Sequence, residues 1–192
     1  GSSGTFILND GAGLITANPQ GLSASGNTGS IQVSGTRTFS SSADYTYNGT
    51  AAQVTGTGLP VSVRNLTVSN TAGVSLTSSL SVEGTLSLAS GTLNLGGSTL
   101  TLNGPAINTT SGNLATTTGS SLVFGGTSSG VYIPSGVTSL LNLTVGNPNG
   151  VTQNSSITLA SGGILNLAGG ILDAGGHVIA ITNTSTSAII SS

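Results

Sequence analysis

The sequence predicts an all-β fold: a right-handed parallel β-solenoid, or β-helix, with roughly three short strands in each coil of about 20 residues. Three observations carry this expectation. Apolar residues come in pairs separated by one residue, the pairs follow one another at short intervals, and long stretches of the chain resemble each other.

The pairs are Leu66/Val68, Val74/Leu76, Leu80/Val82, Leu86/Leu88, Leu93/Leu95 and Leu100/Leu102. A spacing of two is the strand period, because alternate side chains on a strand share a face. The pairs recur about every six to eight residues with Gly, Asn or Ser between them, too short a step for a helix and suited to tight turns. No apolar stripe of helical period is present. Three such steps bring Leu86 over Leu66. One coil cannot bury its inward Leu, Ile and Val residues alone, but stacked coils form columns of them, each fully buried residue contributing roughly 1.5–3 kcal/mol. About nine coils at a strand spacing near 4.8 Å give a rod of about 45 Å. A β-sandwich also has short strands and turns. The tight spacing and the lack of aromatic anchors count against it. The first fifty or so residues are less regular, with looped-out corners expected at Asn18–Gly21 and Ser40–Ser42.

A longer period overlies the short one. Asn65-Leu66-Thr67-Val68 recurs as Asn142-Leu143-Thr144-Val145, about 77 positions on. At the same offset Tyr45 and Tyr47 face Leu122 and Phe124, Gly49-Thr50 faces Gly126-Thr127, Val54 faces Val131, and Gly73-Val74 faces Gly150-Val151. The offset then becomes about 79, as a loop insertion allows. Gly84, Leu86, Leu88, Ala89, Gly91, Leu93 and Gly96-Gly97 match Gly163, Leu165, Leu167, Ala168, Gly170, Leu172 and Gly175-Gly176. Ser3 to Leu8 resembles Ser90 to Leu95. The chain therefore divides into the tail of one repeat (1–26), a long repeat (27–104) and a second (105–192), all in one continuous solenoid. Both ends read as cut repeats, so further repeats of the same chain are expected to cover them, with self-association into a filament or bundle as an extension of that.

Composition narrows the function. Of 192 residues only 3% are charged, against roughly 25% in an average globular chain. The charges are Asp10, Asp44, Glu83, Asp173, Arg37 and Arg64, with one histidine, His177, and no cysteine. A disulfide framework and thiolate metal sites are thereby excluded. Mean hydropathy is positive and the net charge only −2, unlike a disordered chain. No apolar run of about 18 residues exists to form a membrane-spanning helix, so no membrane insertion is expected. Two arginines make no basic stripe, so no nucleic-acid partner is expected.

Tyr45-Thr-Tyr-Asn-Gly-Thr, Val54-Thr-Gly-Thr-Gly-Leu-Pro60, Asn65-Leu-Thr-Val-Ser-Asn and the run from Gly84 to Leu95 together give the chain a recognisable texture. It resembles the repeats of giant secreted bacterial surface proteins, adhesin-like β-solenoids of which many leave by the type IX secretion route. The likeness spans nearly the whole chain but contains no catalytic motif. It implies an extracellular, cell-surface location, a structural or adhesive role, and a longer parent with its secretion signal and anchor elsewhere.

Extracellular β-helices also include polysaccharide-degrading enzymes, which need clustered carboxylates or a basic group beside bound calcium. Asp10, Asp44 and Glu83 have no acidic neighbour in sequence, and the repeat alignment does not bring them together. Asp173 and His177 are the one local ionisable pair and would need a serine to suggest a triad. They replace Asn94 and Ser98 of the first repeat and read instead as solvated turn residues beside Gly175-Gly176. No cofactor, no metal site and no catalytic residue is expected. Zinc lacks ligands, and the calcium-binding nonapeptide pattern is absent, though calcium itself is not excluded. The stretch Gly125–Gly130 lacks the Lys-Ser/Thr ending of a phosphate loop. Tyr45 and Tyr47 align with apolar residues and read as core. Exposed rings can stack on sugars, but for Tyr45, Tyr47 and Tyr132 a core role is expected ahead of sugar binding. Arg37 and Arg64 read as solvated surface charges. Asn48, Asn108 and Asn154 begin Asn-x-Ser/Thr triplets that composition alone explains.

The expected role is thus a structural or adhesive segment of an extracellular filament, stalk or surface adhesin, with a glycan or cell-surface target. The alternatives are a carbohydrate- or ice-binding face, for which Thr99-Leu100-Thr101 and Thr36-Arg37-Thr38 have the outward-Thr form, and, behind it, a polysaccharide-degrading β-helix enzyme.

Overall fold

The computed structural model describes residues 4–104, 107–167 and 169–191. Ser3 and Ala168, both used in the repeat alignment, and the side chain of Asn108 lie outside that description. The described chain is a β-solenoid of parallel strands with no helix.

Three walls are traced in turn by each coil. The third wall has the longest uninterrupted stack. It runs β6 (Ser62–Val63), β8 (Leu80–Val82), β10 (Thr99–Leu102), β13 (Ser121–Phe124), β16 (Asn142–Val145), β19 (Leu165–Asn166) and β22 (Ile189–Ile190). Ahead of it in chain order, β1 (Phe6–Leu8) pairs with β3 (Arg37–Phe39), and the rings of Phe6 and Phe39 pack 5.5 Å apart.

The first wall stacks β2 (Gly13–Thr16), β4 (Asp44–Tyr47), β7 (Asn65–Ser75), β9 (Leu86–Asn94) and β11 (Ile107–Thr109). It continues as β14 (Val131–Ile133), β17 (Val151–Gln153) and β20 (Leu172–Asp173), and the Tyr132 hydroxyl lies 3.0 Å from Thr109 Oγ1 across the break. β7 and β9 run on through the corner, so their C-terminal ends belong to the second wall. There they meet β5 (Gln53–Val54) and β12 (Asn113–Ala115). β15 (Ser139–Leu140), β18 (Ile157–Leu159) and β21 (Ile179–Ile181) complete that wall.

The predicted inward residues are inward. Leu66 pairs with Leu86 and that with Ile107, one column of the core. Leu80, Leu100, Leu122, Leu143 and Leu165 form another, on the third wall. All of these are buried, while Leu76 and Leu167 pack against the core only partly covered. Burial in every second position along β10 and β16 follows from the pleat, which sends alternate side chains to opposite faces.

The stack has about seven turns, fewer than the nine expected. Part of the difference lies in the first coil, where Leu14 pairs with Tyr45, about ten residues more than a regular coil needs, the excess being looped out at a corner as surface insertions are. In the last coil Leu165 pairs with Ile189, which is also long.

The two long repeats do not superpose wall on wall. Asn65–Val68 of the first lies on the first wall, and its counterpart Asn142–Val145 lies in the sheet of the third. Val74 is on the second wall and Val151 on the first. Leu80 and Val82 are on the third and Ile157 and Leu159 on the second. The long period spans about three and two-thirds coils, so sequence-equivalent strands step round the axis by one wall.

Candidate functional site

Four of the six charged residues converge on one edge. Asp10, Asp44, Arg64 and Glu83 all sit at the corner between the third and first walls, in successive coils. The sequence reading left these acids apart. Register brings them together, because residues about one coil apart stand one strand spacing apart.

Each is held. Arg64 Nε donates to Asp44 Oδ1 at 2.7 Å and Nη2 to Oδ2 at 2.6 Å, a bidentate pair, while Nη2 also reaches the Gly11 carbonyl at 3.1 Å. Asn65 Nδ2 adds a 2.8 Å bond to Asp44 Oδ1. The guanidinium holds the Asp44 carboxyl below its ordinary range, the bond from Asn65 acts the same way, and partial burial opposes both. The same pairing raises Arg64 above its ordinary value. Glu83 accepts from Ser62 Oγ at 2.9 Å in the coil before and from Asn103 Nδ2 at 2.9 Å in the coil after. Asp10 accepts from the Ser40 hydroxyl. These side-chain bonds all run between neighbouring coils. Among the described residues no group of three or more His, Cys, Asp or Glu side chains is placed to hold a metal.

Arg37 corrects the expectation of a solvated charge: it is only 9% exposed. Its guanidinium donates to the carbonyls of Ser23 at 3.0 Å, Val33 at 3.1 Å and Gly26. Three carbonyls of the looped-out stretch thus close over one cation, and buried Leu22 tucks that loop onto the core. Arg64 is half-exposed, but it is ion-paired rather than free.

Two buried asparagines escaped the sequence reading. Asn70 is 0% and Asn147 1% exposed. Asn70 Nδ2 donates to the Ala51 carbonyl at 2.8 Å and its Oδ1 accepts from Ala72 N at 2.9 Å. Asn147 repeats both bonds at matched positions, to the Ser128 carbonyl at 2.8 Å and from Asn149 N at 2.9 Å. The following glycines, Gly73 and Gly150, take φ of 90° and 93°, a region side-chain-bearing residues avoid. The signal was present: both asparagines stand at the end of the repeated Asn-Leu-Thr-Val phrase.

Tyr45 and Tyr47 are both core, their hydroxyls donating to the carbonyls of Ser40 at 2.6 Å and Thr55 at 2.8 Å. Burial pushes the Tyr45 phenol up to about 12 and raises Tyr47 further. Tyr132 is half-buried on the first wall. Asp173, expected on a turn, is instead the exposed last residue of β20, paired with Thr152, and His177 is exposed just past the turn at Gly175-Gly176; Asp173 Oδ1 accepts from Gly175 N at 2.9 Å and His177 N donates to the Ala174 carbonyl at 2.9 Å.

Outward threonines do not form a continuous array. One third-wall column reads Ser62, Ser81, Thr101, Val123, Thr144, Asn166, Ile190, and one first-wall column reads Ile15, Thr46, Thr67, Ser87. The outer face of the third wall does carry a shallow groove of about 290 Å³, lined among others by Thr99, Ser121, Val123, Asn142, Thr144 and Ile164. Comparison with protein-family models, curated proteins and solved structures returns no match.

Proposed function

We propose that this chain is a structural, adhesive segment of an extracellular filament, stalk or surface adhesin of a bacterium, without catalysis. The observation that carries the reading is the use of its few ionisable groups. Asp10, Asp44, Arg64 and Glu83 tie coil to coil, and Arg37 closes the long loop of the first coil. Such placement serves the stiffness of a rod. Ile189 of β22 continues the inward column of Leu165 yet is 57% exposed, which suits coverage by a further parallel strand of the same kind.

Two experiments test this. Sedimentation over a concentration series should show end-to-end association, and a stable monomer at the highest concentration would count against it. A panel of polysaccharides and esters should give no turnover. Hydrolysis abolished by Asp173→Asn or His177→Ala would overturn the non-catalytic reading.

The third-wall groove favours a second reading, a neutral carbohydrate-binding face. Hydroxyls, two amides and aliphatic side chains without charge suit an uncharged polyol. A glycan array separates the two: a hit weakened by Asn142→Ala supports the groove, and a blank array supports a plain spacer. The broken threonine columns give no support to ice binding.

A further inference from the structure

We infer that the long repeat is a screw element built from strand-and-corner steps that fit any wall, so that each copy turns its outer face by one wall relative to the last. In a rod of such repeats a given feature returns to the same wall only after about three copies, or 11 coils. A partner recognising the outer face of one copy would meet it from all three sides, and the rod has no single adhesive face. This consequence for display rests on the adhesive reading; the interchangeability of walls does not.

Every matched strand follows one cyclic rule: first wall to third, second to first, third to second. The corners keep their bonds through the move. Asn65 Oδ1 accepts from Thr85 N at 2.6 Å and Asn142 Oδ1 accepts from Ile164 N at 3.0 Å, each into the coil that follows. A Cβ on Gly84 would stand 2.7 Å from the Arg64 carbonyl oxygen, and one on Gly163 would stand 2.1 Å from that of Leu141, so the same crowded approach recurs on another wall. The paired bonds of Asn70 and Asn147 repeat in the same way. A corner that keeps the same pair of asparagine bonds and the same positive-φ glycine between the first and second walls and between the third and first takes them from its own residues, not from its wall. The opening strand agrees: Phe6 and Leu8 precede the first wall in chain order, as the third wall does, and their counterparts Leu93 and Leu95 lie on or beside the second.

Block exchange tests this in the chain itself. Residues 65–75 differ from 142–152 at four positions, so Ser69→Gly/Thr71→Pro/Ala72→Asn/Ser75→Thr writes the second copy's step into the first copy's walls. Thr71 to Gly73 have no Cα partner in the neighbouring strands, and a proline, Pro148, already stands at the matched position of the second copy. The reciprocal variant is Gly146→Ser/Pro148→Thr/Asn149→Ala/Thr152→Ser. Both should keep Tm within about 4 °C of the parent, a small change for a chain of this size. A scrambled control with the same incoming residues, Ser69→Pro/Thr71→Gly/Ala72→Thr/Ser75→Asn, should fall by more than that. A larger fall in either exchange, or a scrambled control as stable as the exchange, overturns the inference. Thr46→Cys/Thr67→Cys, Cα partners on the first wall, should close a disulfide on oxidation in the parent and in the exchanged chain, since neighbouring parallel strands stand about 4.8 Å apart. Closure in the parent alone would show that the block does not adopt the wall of its new position, and overturns it equally.

Discussion

At the start of the repeated phrase, both copies carry an asparagine that bonds into the next coil, but what surrounds it differs. In the first copy Asn65 meets Asp44, which is clasped by Arg64; in the second Asn142 meets Ser121 at 3.2 Å, and Leu141 stands where Arg64 would. In the first copy the position holds an ion pair, and in the second it borders the uncharged groove of the third wall. The shared part is the set of backbone-directed asparagine bonds and crowded glycines. The ion pair is an addition to the outside, so charge can be gained or lost without altering the coil.

The comparison is broken most severely from within. Leu86 and Leu165 are matched residues on different walls, the first wholly buried and the second 8% exposed. Leu86→Asp should cost upwards of about 4 kcal/mol, since it buries an unpaired charge. Leu165→Asp should cost less, because water is closer. Urea denaturation of both variants checks the order; equal losses would mean the second copy is as tightly closed as the first.

Removing the corner asparagines should come next. Asn70→Ala and Asn147→Ala each strand buried backbone groups, at about 1–3 kcal/mol. Asn70 also donates to Gln53 Oε1 at 2.8 Å, a bond Asn147 has no matching glutamine to make, because Gly130 stands there. The loss should therefore be larger at Asn70, as read by thermal unfolding.

Alkaline titration separates the copies by a different route. Tyr45 and Tyr47 have Leu122 and Phe124 as counterparts. A phenol whose folded pKa is raised from 10.0 to about 12 contributes stability that is intact below pH 10 and lost as pH rises through about 12. Tyr45→Leu/Tyr47→Phe should flatten that fall; an unchanged alkaline limb would show that the phenols are not its source.

The smallest effect belongs to the ion pair. Asp44 is depressed in the folded state, so its contribution is present above its unfolded value of 3.8 and disappears as pH falls through the lower folded value. Both partners are well exposed, at 43% and 39%, and solvent screens them. Arg64→Leu, which imports the second copy's residue, should leave the neutral-pH Tm nearly unchanged and remove a small acid-side loss that salt also weakens. A large drop at neutral pH would make the edge a structural keystone instead of an addition.

The sequence by itself determined the strand period, the coil length and which leucines and valines point inward, because alternation along a strand and stacking at a coil's interval are local rules that Leu66, Leu86 and Leu100 obey wherever they stand. The core role of Tyr45 and Tyr47 was legible from their apolar counterparts for the same reason. Only the tertiary structure decided which wall a residue occupies. That depends on how many coils the intervening residues close, about three and two-thirds between the copies, so identical phrases at Asn65 and Asn142 reach different sheets. It also decided the fate of the charges. Asp10, Asp44, Arg64 and Glu83 are distant in sequence and line one edge because parallel register sets successive coils one strand spacing apart, and Arg37 is buried because a loop with no period of its own folds its carbonyls around it.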